Sequence, residues 1–257
     1  MNIINLIKVK ILYTFIFFFI CLINLTLIAG IIPLIERKYL SLIQRRVGPN
    51  FIGYKGRLQF IADALKLFFK DIKFPVHINS VIFFFLPSLV LAISYLFWIN
   101  TLWSKNLIFF SIEYNILLFS LISILFEFLI ILTGHINKNK YSFLSSIRSI
   151  IIMFSVELLF TFFLLIVIMY LNSFTLYDCF NMREEWYVIF NFLWLWHLFL
   201  ILLLLETGRA PFDLNEAESE LITGFHIEYS SFLFGLYYLA EYFNLFFFAL
   251  FSIIMFL

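Results

Sequence analysis

The sequence predicts an all-α integral membrane protein, with about six transmembrane helices and an amphipathic interfacial helix between the first two. Three observations predict it. Of the 257 residues, 64% are hydrophobic and 13% charged, more apolar surface than a water-soluble domain of this length can hide in a core. The apolar residues fall into six runs of membrane-crossing length. The basic residues between those runs gather on one side.

Lipid offers no partner to bare backbone N–H and C=O groups, so a spanning segment must be helical. Roughly 20 apolar residues cover the ~30 Å hydrocarbon layer. Spans are expected at about residues 11–35, 81–102, 114–134, 147–171, 187–206 and 229–257 of one membrane domain that fills residues 1–257. The first run is too long for a secretory signal, lacks a small-residue cleavage motif, and continues into Pro33 and Glu36-Arg37-Lys38. Between the first two spans, Leu58, Ile61, Ala62, Leu65, Phe68 and Phe69 recur at three- and four-residue spacing, while Asp63, Lys66 and Lys70 fall elsewhere on the wheel. That pattern predicts an amphipathic helix at about residues 57–70, lying in the interface with its lysines reaching water.

Alternating spans put residues 36–80, 135–148 and 207–228 on the same side, and that side holds 13 of the 17 Lys and Arg. The positive-inside rule makes it the cytoplasmic or matrix side. The net charge of +1 gives no reason to expect nucleic acid. Thirty-eight Phe against 8 Gly suggests an AT-rich, organellar gene. Cys21 and Cys179 form no CxxC, and His77, His135, His197 and His226 form no pairs at matched depth. Zinc, an intrinsic iron–sulfur cluster and membrane haem are therefore not expected. Gly53 and Gly56 lack the context of a phosphate-cradling loop.

Acidic residues inside spans need an explanation, because a charge at mid-membrane costs about 2.5–3.5 kcal/mol on insertion scales. Glu127, Glu157, Glu206, Glu228 and Glu241 all sit in or at the edge of a span. Each has a structural reading, as polar glue between helices. Together they suit a proton relay, since such groups take and release protons where water reaches them. Glu228 and Glu241 are 13 residues apart, about 20 Å along a helix, and would mark two depths of one path. A second concentration runs from Glu206 to Glu220, where five carboxylates and Arg209 share one loop behind Gly208 and Pro211.

Two long motifs carry a family resemblance. The first comprises Glu36-Arg-Lys-Tyr-Leu, Gln44-Arg-Arg-Val-Gly-Pro-Asn50, Gly53, Gly56, Leu58-Gln59 and Ala62-Asp-Ala-Leu-Lys-Leu67. The second comprises Glu206-Thr-Gly-Arg-Ala-Pro-Phe-Asp213, Glu216-Ala-Glu-Ser-Glu-Leu221, Gly224-Phe225, Ile227-Glu-Tyr229 and Ala240-Glu-Tyr242. With the spans in order between them, the chain resembles the quinone-site membrane subunit, subunit 1, of respiratory complex I, the proton-pumping NADH:ubiquinone oxidoreductase.

The resemblance implies a quinone tunnel walled by the first loop and its amphipathic helix, with Arg37, Gln44, Arg46 and Asp63 as quinone-binding residues. It implies a proton path through Glu157, Glu206, Glu228 and Glu241, and an acidic coupling loop of Arg209, Asp213, Glu216, Glu218 and Glu220. Lys140 and Arg148 match a weaker third loop. Glu127 matches no family position and is given no role.

By the same resemblance, ubiquinone is substrate, and the chain alone binds no cofactor and supplies no catalytic group. NADH, FMN and iron–sulfur clusters would belong to hydrophilic partner subunits on the matrix side. Antiporter-like membrane subunits would be its neighbours in the lipid of the mitochondrial inner membrane, or of a bacterial plasma membrane. The family has eight spans where six are found here, and the expectation is that a second polypeptide supplies the last two. Two alternatives share part of the pattern: a membrane-bound hydrogenase subunit, which a nickel-containing partner would mark, and a free-standing ion transporter, which would carry an inverted repeat.

Overall fold

The structure, a computed structural model, describes residues 3–75, 77–99, 114–171, 174–175, 186–213 and 224–256. Seven α-helices account for most of them, with no strand among the described residues: α1 (Ile3–Ile43), α2 (Gln59–Phe69), α3 (Ser80–Ile99), α4 (Asn115–Ile136), α5 (Lys140–Leu171), α6 (Trp186–Glu206) and α7 (Ser231–Phe256). Five are long and apolar enough to cross a membrane, over Phe19–Ile43, Ser80–Trp98, Asn115–Ile136, Lys140–Met169 and Ser231–Met255, and α6 adds the shorter apolar stretch Trp194–Glu206. Short 3₁₀ turns at Tyr54–Gly56 and Gly224–His226 complete the description. Cys179 lies outside the described residues.

The chain divides into two compact units, Met1–Phe69 and Lys70–Leu257. In the first, α1 carries Pro33 within a 41-residue helix and packs against α2. The loop between them folds back tightly. Lys38 donates a hydrogen bond to the Lys55 carbonyl at 2.6 Å, and Gly56 takes a φ of +71° with its Cα against Pro49. A Cβ at Gly56 would stand 2.1 Å from the Pro49 carbonyl oxygen, so only glycine fits. No residue of α2 is buried within this unit, and Leu65, Phe68 and Phe69 are exposed along it.

In the second unit α7 is the packing axis. Its buried face, Leu233, Leu236, Tyr237, Ala240, Phe243, Phe247, Phe251 and Ile254, recurs at three- and four-residue spacing. Phe247 lies 5.0 Å from Phe97 of α3, Phe251 stacks at 4.6 Å on Phe119 of α4, Phe248 meets Phe160 of α5 at 6.1 Å, and Phe251 meets Phe199 of α6 at 5.8 Å. Between helices in lipid the gain from burying apolar surface is lost, so dispersion and aromatic geometry carry this packing.

The surface is arranged the other way round from that of a water-soluble bundle. Leu121, Leu125 and Phe128 on α4, and Ile151, Phe154, Leu158 and Phe162 on α5, point outward, whereas Ser120, Ser123, Ser142, Ser145, Ser146 and Ser149 are buried between those helices. Ser120, Ser123, Ser146 and Ser149 each donate to the carbonyl three residues back, so no hydroxyl among these four is stranded.

Small residues also set how closely α4 and α5 approach. A Cβ on Gly134 would stand 2.8 Å from Ser146 Cβ and 2.9 Å from the Ser142 carbonyl oxygen. Gly134→Ala should therefore destabilise the protein by about 1–3 kcal/mol, the usual cost of overpacking, read as a lower thermal transition in detergent. An unchanged transition would show that the two helices part without strain.

Candidate functional site

The residues expected to act fall in both units. In the first, the helix pair α1 and α2 brings Arg37 and Asp63 together: Arg37 Nη1 donates to Asp63 Oδ2 at 2.7 Å. Gln59, one turn earlier on α2, donates its amide to Asp63 Oδ1 at 2.9 Å and fixes the carboxylate from the other side. The pair is partly exposed, at 48% and 38%. Gln44 and Arg46 lie in the turn after α1, held by backbone bonds to Leu40 and Ser41, with exposed side chains. The structure therefore joins two of the four residues expected at the quinone and leaves the other two facing outward.

In the second unit four consecutive helices each contribute one glutamate: Glu127 from α4, Glu157 from α5, Glu206 from the end of α6 and Glu241 from α7. Glu127 interacts electrostatically with Glu157 and Glu241, and Glu206 with Glu127 and Glu157, so the four form one acidic cluster. Ser123, buried on α4 one turn from Glu127, places its hydroxyl 3.3 Å from both carboxylate oxygens of Glu157. The same hydroxyl lies 2.8 Å from the Ser120 carbonyl. With one proton to donate, it serves the carboxylate or the carbonyl in turn.

At the end of the bundle, His226 extends the cluster and Glu228 lies close by in sequence. His226, buried in the 3₁₀ turn, places Nε2 3.1 Å from Glu241 Oε1. Two residues on, Glu228 accepts a 2.9 Å hydrogen bond from the Asn139 amide. Asn137 donates to the Phe225 carbonyl at 2.7 Å and holds this turn against the end of α4. Glu228 and Glu241 thus lie at different points of the bundle, with His226 beside the deeper one.

A specific turn sets the position of Glu206. Gly208, at φ +56°, donates to the Leu205 carbonyl at 3.3 Å, and Arg209 donates to that of Leu204 at 3.1 Å. This pair of bonds is the Schellman motif, which ends a helix at a left-handed residue and leaves Glu206 as the last helical position of α6. The turn then delivers the Arg209 guanidinium 4.9 Å from the centre of the Tyr242 ring, a cation–π contact. Asp213 is half-buried beyond the turn. Glu216, Glu218 and Glu220 lie outside the described residues. Lys140 opens α5 with its side chain exposed, and Arg148 is half-buried two turns along the same helix.

Sequence reasoning missed two members of this arrangement. Glu127 was given no role, although its four-residue spacing from Ser123 puts both on one face of α4. His226 was weighed only as a haem ligand, and nothing local ties it to Glu241, fifteen positions away.

Substitutions at two positions check the geometry. Asp63→Asn should change thermal stability by less than about 1 kcal/mol, because an ion pair this exposed contributes little; a larger loss would show the pair to be structural. Gly208→Ala, with open space around the new Cβ, should cost about 1 kcal/mol from the left-handed backbone alone, and Gly208→Asn less. Equal effects of the two would argue against the helix-ending turn.

The comparisons with known proteins agree with one another. A family model described as NADH dehydrogenase matches residues 14–257. The chain is 50% identical over 224 residues to NADH-ubiquinone oxidoreductase chain 1 of Paramecium tetraurelia, covering 87% of this chain and 86% of that one. It is 35% identical over 237 residues to an NADH-quinone oxidoreductase subunit of Ruthia magnifica subsp. Calyptogena magnifica, covering 91% and 66%. To NADH-ubiquinone oxidoreductase chain 1 of Yarrowia lipolytica it is 39% identical over 211 residues, covering 82% and 62%. A match this long, on a bundle of membrane-length helices, makes the chain a member of the NADH dehydrogenase family, as a multi-pass membrane subunit of complex I.

Proposed function

We propose that the chain forms the wall of the quinone tunnel and the first part of the proton-coupling path of a proton-translocating NADH:ubiquinone reductase. One observation carries the proton half of this reading: α4, α5, α6 and α7 each contribute a half-buried glutamate to one electrostatically linked cluster. Four separate placements of a costly group are more than helix adhesion needs, since α4 and α5 already pack closely through Gly134, Ser142 and Ser146. Protons would pass among Glu157, Glu206 and Glu241, with Glu127 as a further member, and Glu228 would be the polar entry at the end of the bundle. Ser123 would carry a proton or orient the Glu157 carboxylate, as its two alternative acceptors permit.

For the quinone half, Arg37 and Asp63 offer a donor and an acceptor fixed against each other by Gln59. Gln44 and Arg46 would complete the polar wall, and the apolar side chains of α2 would meet the isoprenoid tail. Electrons would come from NADH through FMN and iron–sulfur clusters in hydrophilic partners on the matrix side, with antiporter-like subunits receiving the coupling signal in the mitochondrial inner membrane. The loop of Arg209, Asp213, Glu216, Glu218 and Glu220 would link quinone chemistry to the cluster, with Arg209 anchored over Tyr242. Lys140 and Arg148 have a weaker claim on this reaction.

In the intact complex, Glu157→Gln and Glu206→Gln should each lower coupled quinone reduction on the order of a hundredfold, the scale of a lost proton-transfer group. The complex should still assemble, because glutamine keeps the shape and the hydrogen-bonding capacity. Native electrophoresis with in-gel NADH dehydrogenase staining measures assembly, and proton uptake into vesicles measures coupling. Loss of assembly in both variants would mean that these glutamates hold the helices together and carry no proton.

A further inference from the structure

Away from the acidic cluster, the second unit contains a cavity of about 540 Å³ where α3 begins, α4 ends and α5 begins. Its polar wall is built by Asn79, Lys138, Asn139 and Lys140, with His135 beside them. Ile82 and Phe143 line the apolar part, and both are nearly half exposed. Its volume is that of a small-molecule site.

The wall is cationic and held in place. Lys138, at φ +50°, donates to the His77 carbonyl at 2.8 Å and is fixed across the gap between two loops. Neither Lys138 nor Lys140 forms an ion pair among the described residues. The Glu228 carboxylate is engaged by the Asn139 amide. Asn79 and Asn139 accept hydrogen bonds from the Val81 and Tyr141 amides at the starts of α3 and α5. Both helices therefore direct the positive ends of their dipoles toward this end of the bundle.

From the apolar part, two exposed stripes lead away along the helices. Ile82, Phe85 and Leu89 follow one face of α3, and Phe143, Ile147 and Ile151 follow one face of α5. We propose that the cavity binds the phosphate headgroup of an anionic diacyl phospholipid from the surrounding bilayer, with one acyl chain along each stripe. Basic pockets between transmembrane helices, at the edge where lysine and arginine concentrate, suit such headgroups. A free phosphate would use the lysines but leave the two apolar tracks without a purpose. This assignment rests on the membrane fold and not on the proposed quinone and proton chemistry, although Asn139 of the cavity wall also bonds Glu228.

The test uses the intact complex reconstituted into phosphatidylcholine vesicles doped with a photoactivatable phosphatidylglycerol whose acyl chain carries the reactive group. Cross-linked peptides should include the stretch from Phe143 to Ile151, and a photoactivatable phosphatidylcholine should label it less. Lys140→Glu, which reverses the charge of an exposed side chain on the cavity wall, should reduce labelling about fivefold or more, and Lys138→Gln with Lys140→Gln on the order of twentyfold. Lys66→Gln in α2 should leave it unchanged. Equal labelling by the two lipids, or labelling indifferent to Lys140→Glu, would overturn the proposal. Suppression by added inorganic phosphate alone would make this a free-phosphate site and would also overturn the lipid assignment.

Discussion

A polar group in a bundle surrounded by lipid has nowhere to find a partner except inside. This constraint orders the second unit. Serines turn inward and use the carbonyls of their own helices, half-buried glutamates lie within electrostatic reach of one another, and many Leu, Ile and Phe side chains take the outside. An outward glutamate would cost several kcal/mol against hydrocarbon, so the acidic cluster and the apolar exterior have the same cause. The aromatic seam of α7 is what makes an interior available. By packing against α3, α4, α5 and α6 through Phe247, Phe248 and Phe251, it brings α4, α5 and α6 close enough for their acids to interact with one another and with its own Glu241.

Glycines and asparagines then decide where the polar groups stand. Gly134 permits the close approach of α4 and α5, and Gly208 ends α6 at Glu206 and turns the chain so that Arg209 reaches Tyr242. At the loop end, Asn137 and Asn139 reach the turn before α7, at the Phe225 carbonyl and the Glu228 carboxylate, and Lys138 reaches the His77 carbonyl. Three adjacent residues thereby fix the end of the bundle. Their arrangement builds the cationic cavity on one side and holds the turn bearing His226 and Glu228 on the other. Lipid anchoring and proton entry would thus share one scaffold, with Asn139 common to both.

The first unit follows the same logic on a smaller scale. Its folded loop depends on Gly56 pressing against Pro49, and its candidate polar group depends on α2 presenting Gln59 and Asp63 one turn apart. Its small contact with α1 leaves the apolar face of α2 exposed.

Much of this was legible in the sequence. Twenty-residue apolar runs admit only helices in lipid, so the all-α membrane fold followed from composition and spacing alone. The two long motifs identified the family, and the cost of buried charge singled out Glu127, Glu157, Glu206, Glu228 and Glu241 from the hydropathy pattern. Which acids meet was not legible, because residues from four helices are brought together by side-chain packing that hydropathy does not encode. Glu127 therefore went unassigned, His226 was not paired with Glu241, and the cavity at Lys138 and Lys140 was invisible as a site. The sequence by itself determined that polar groups must turn inward, since the solvent is lipid. The tertiary structure alone decided which of them share a place, since helix contacts depend on the shapes of side chains far apart in the chain.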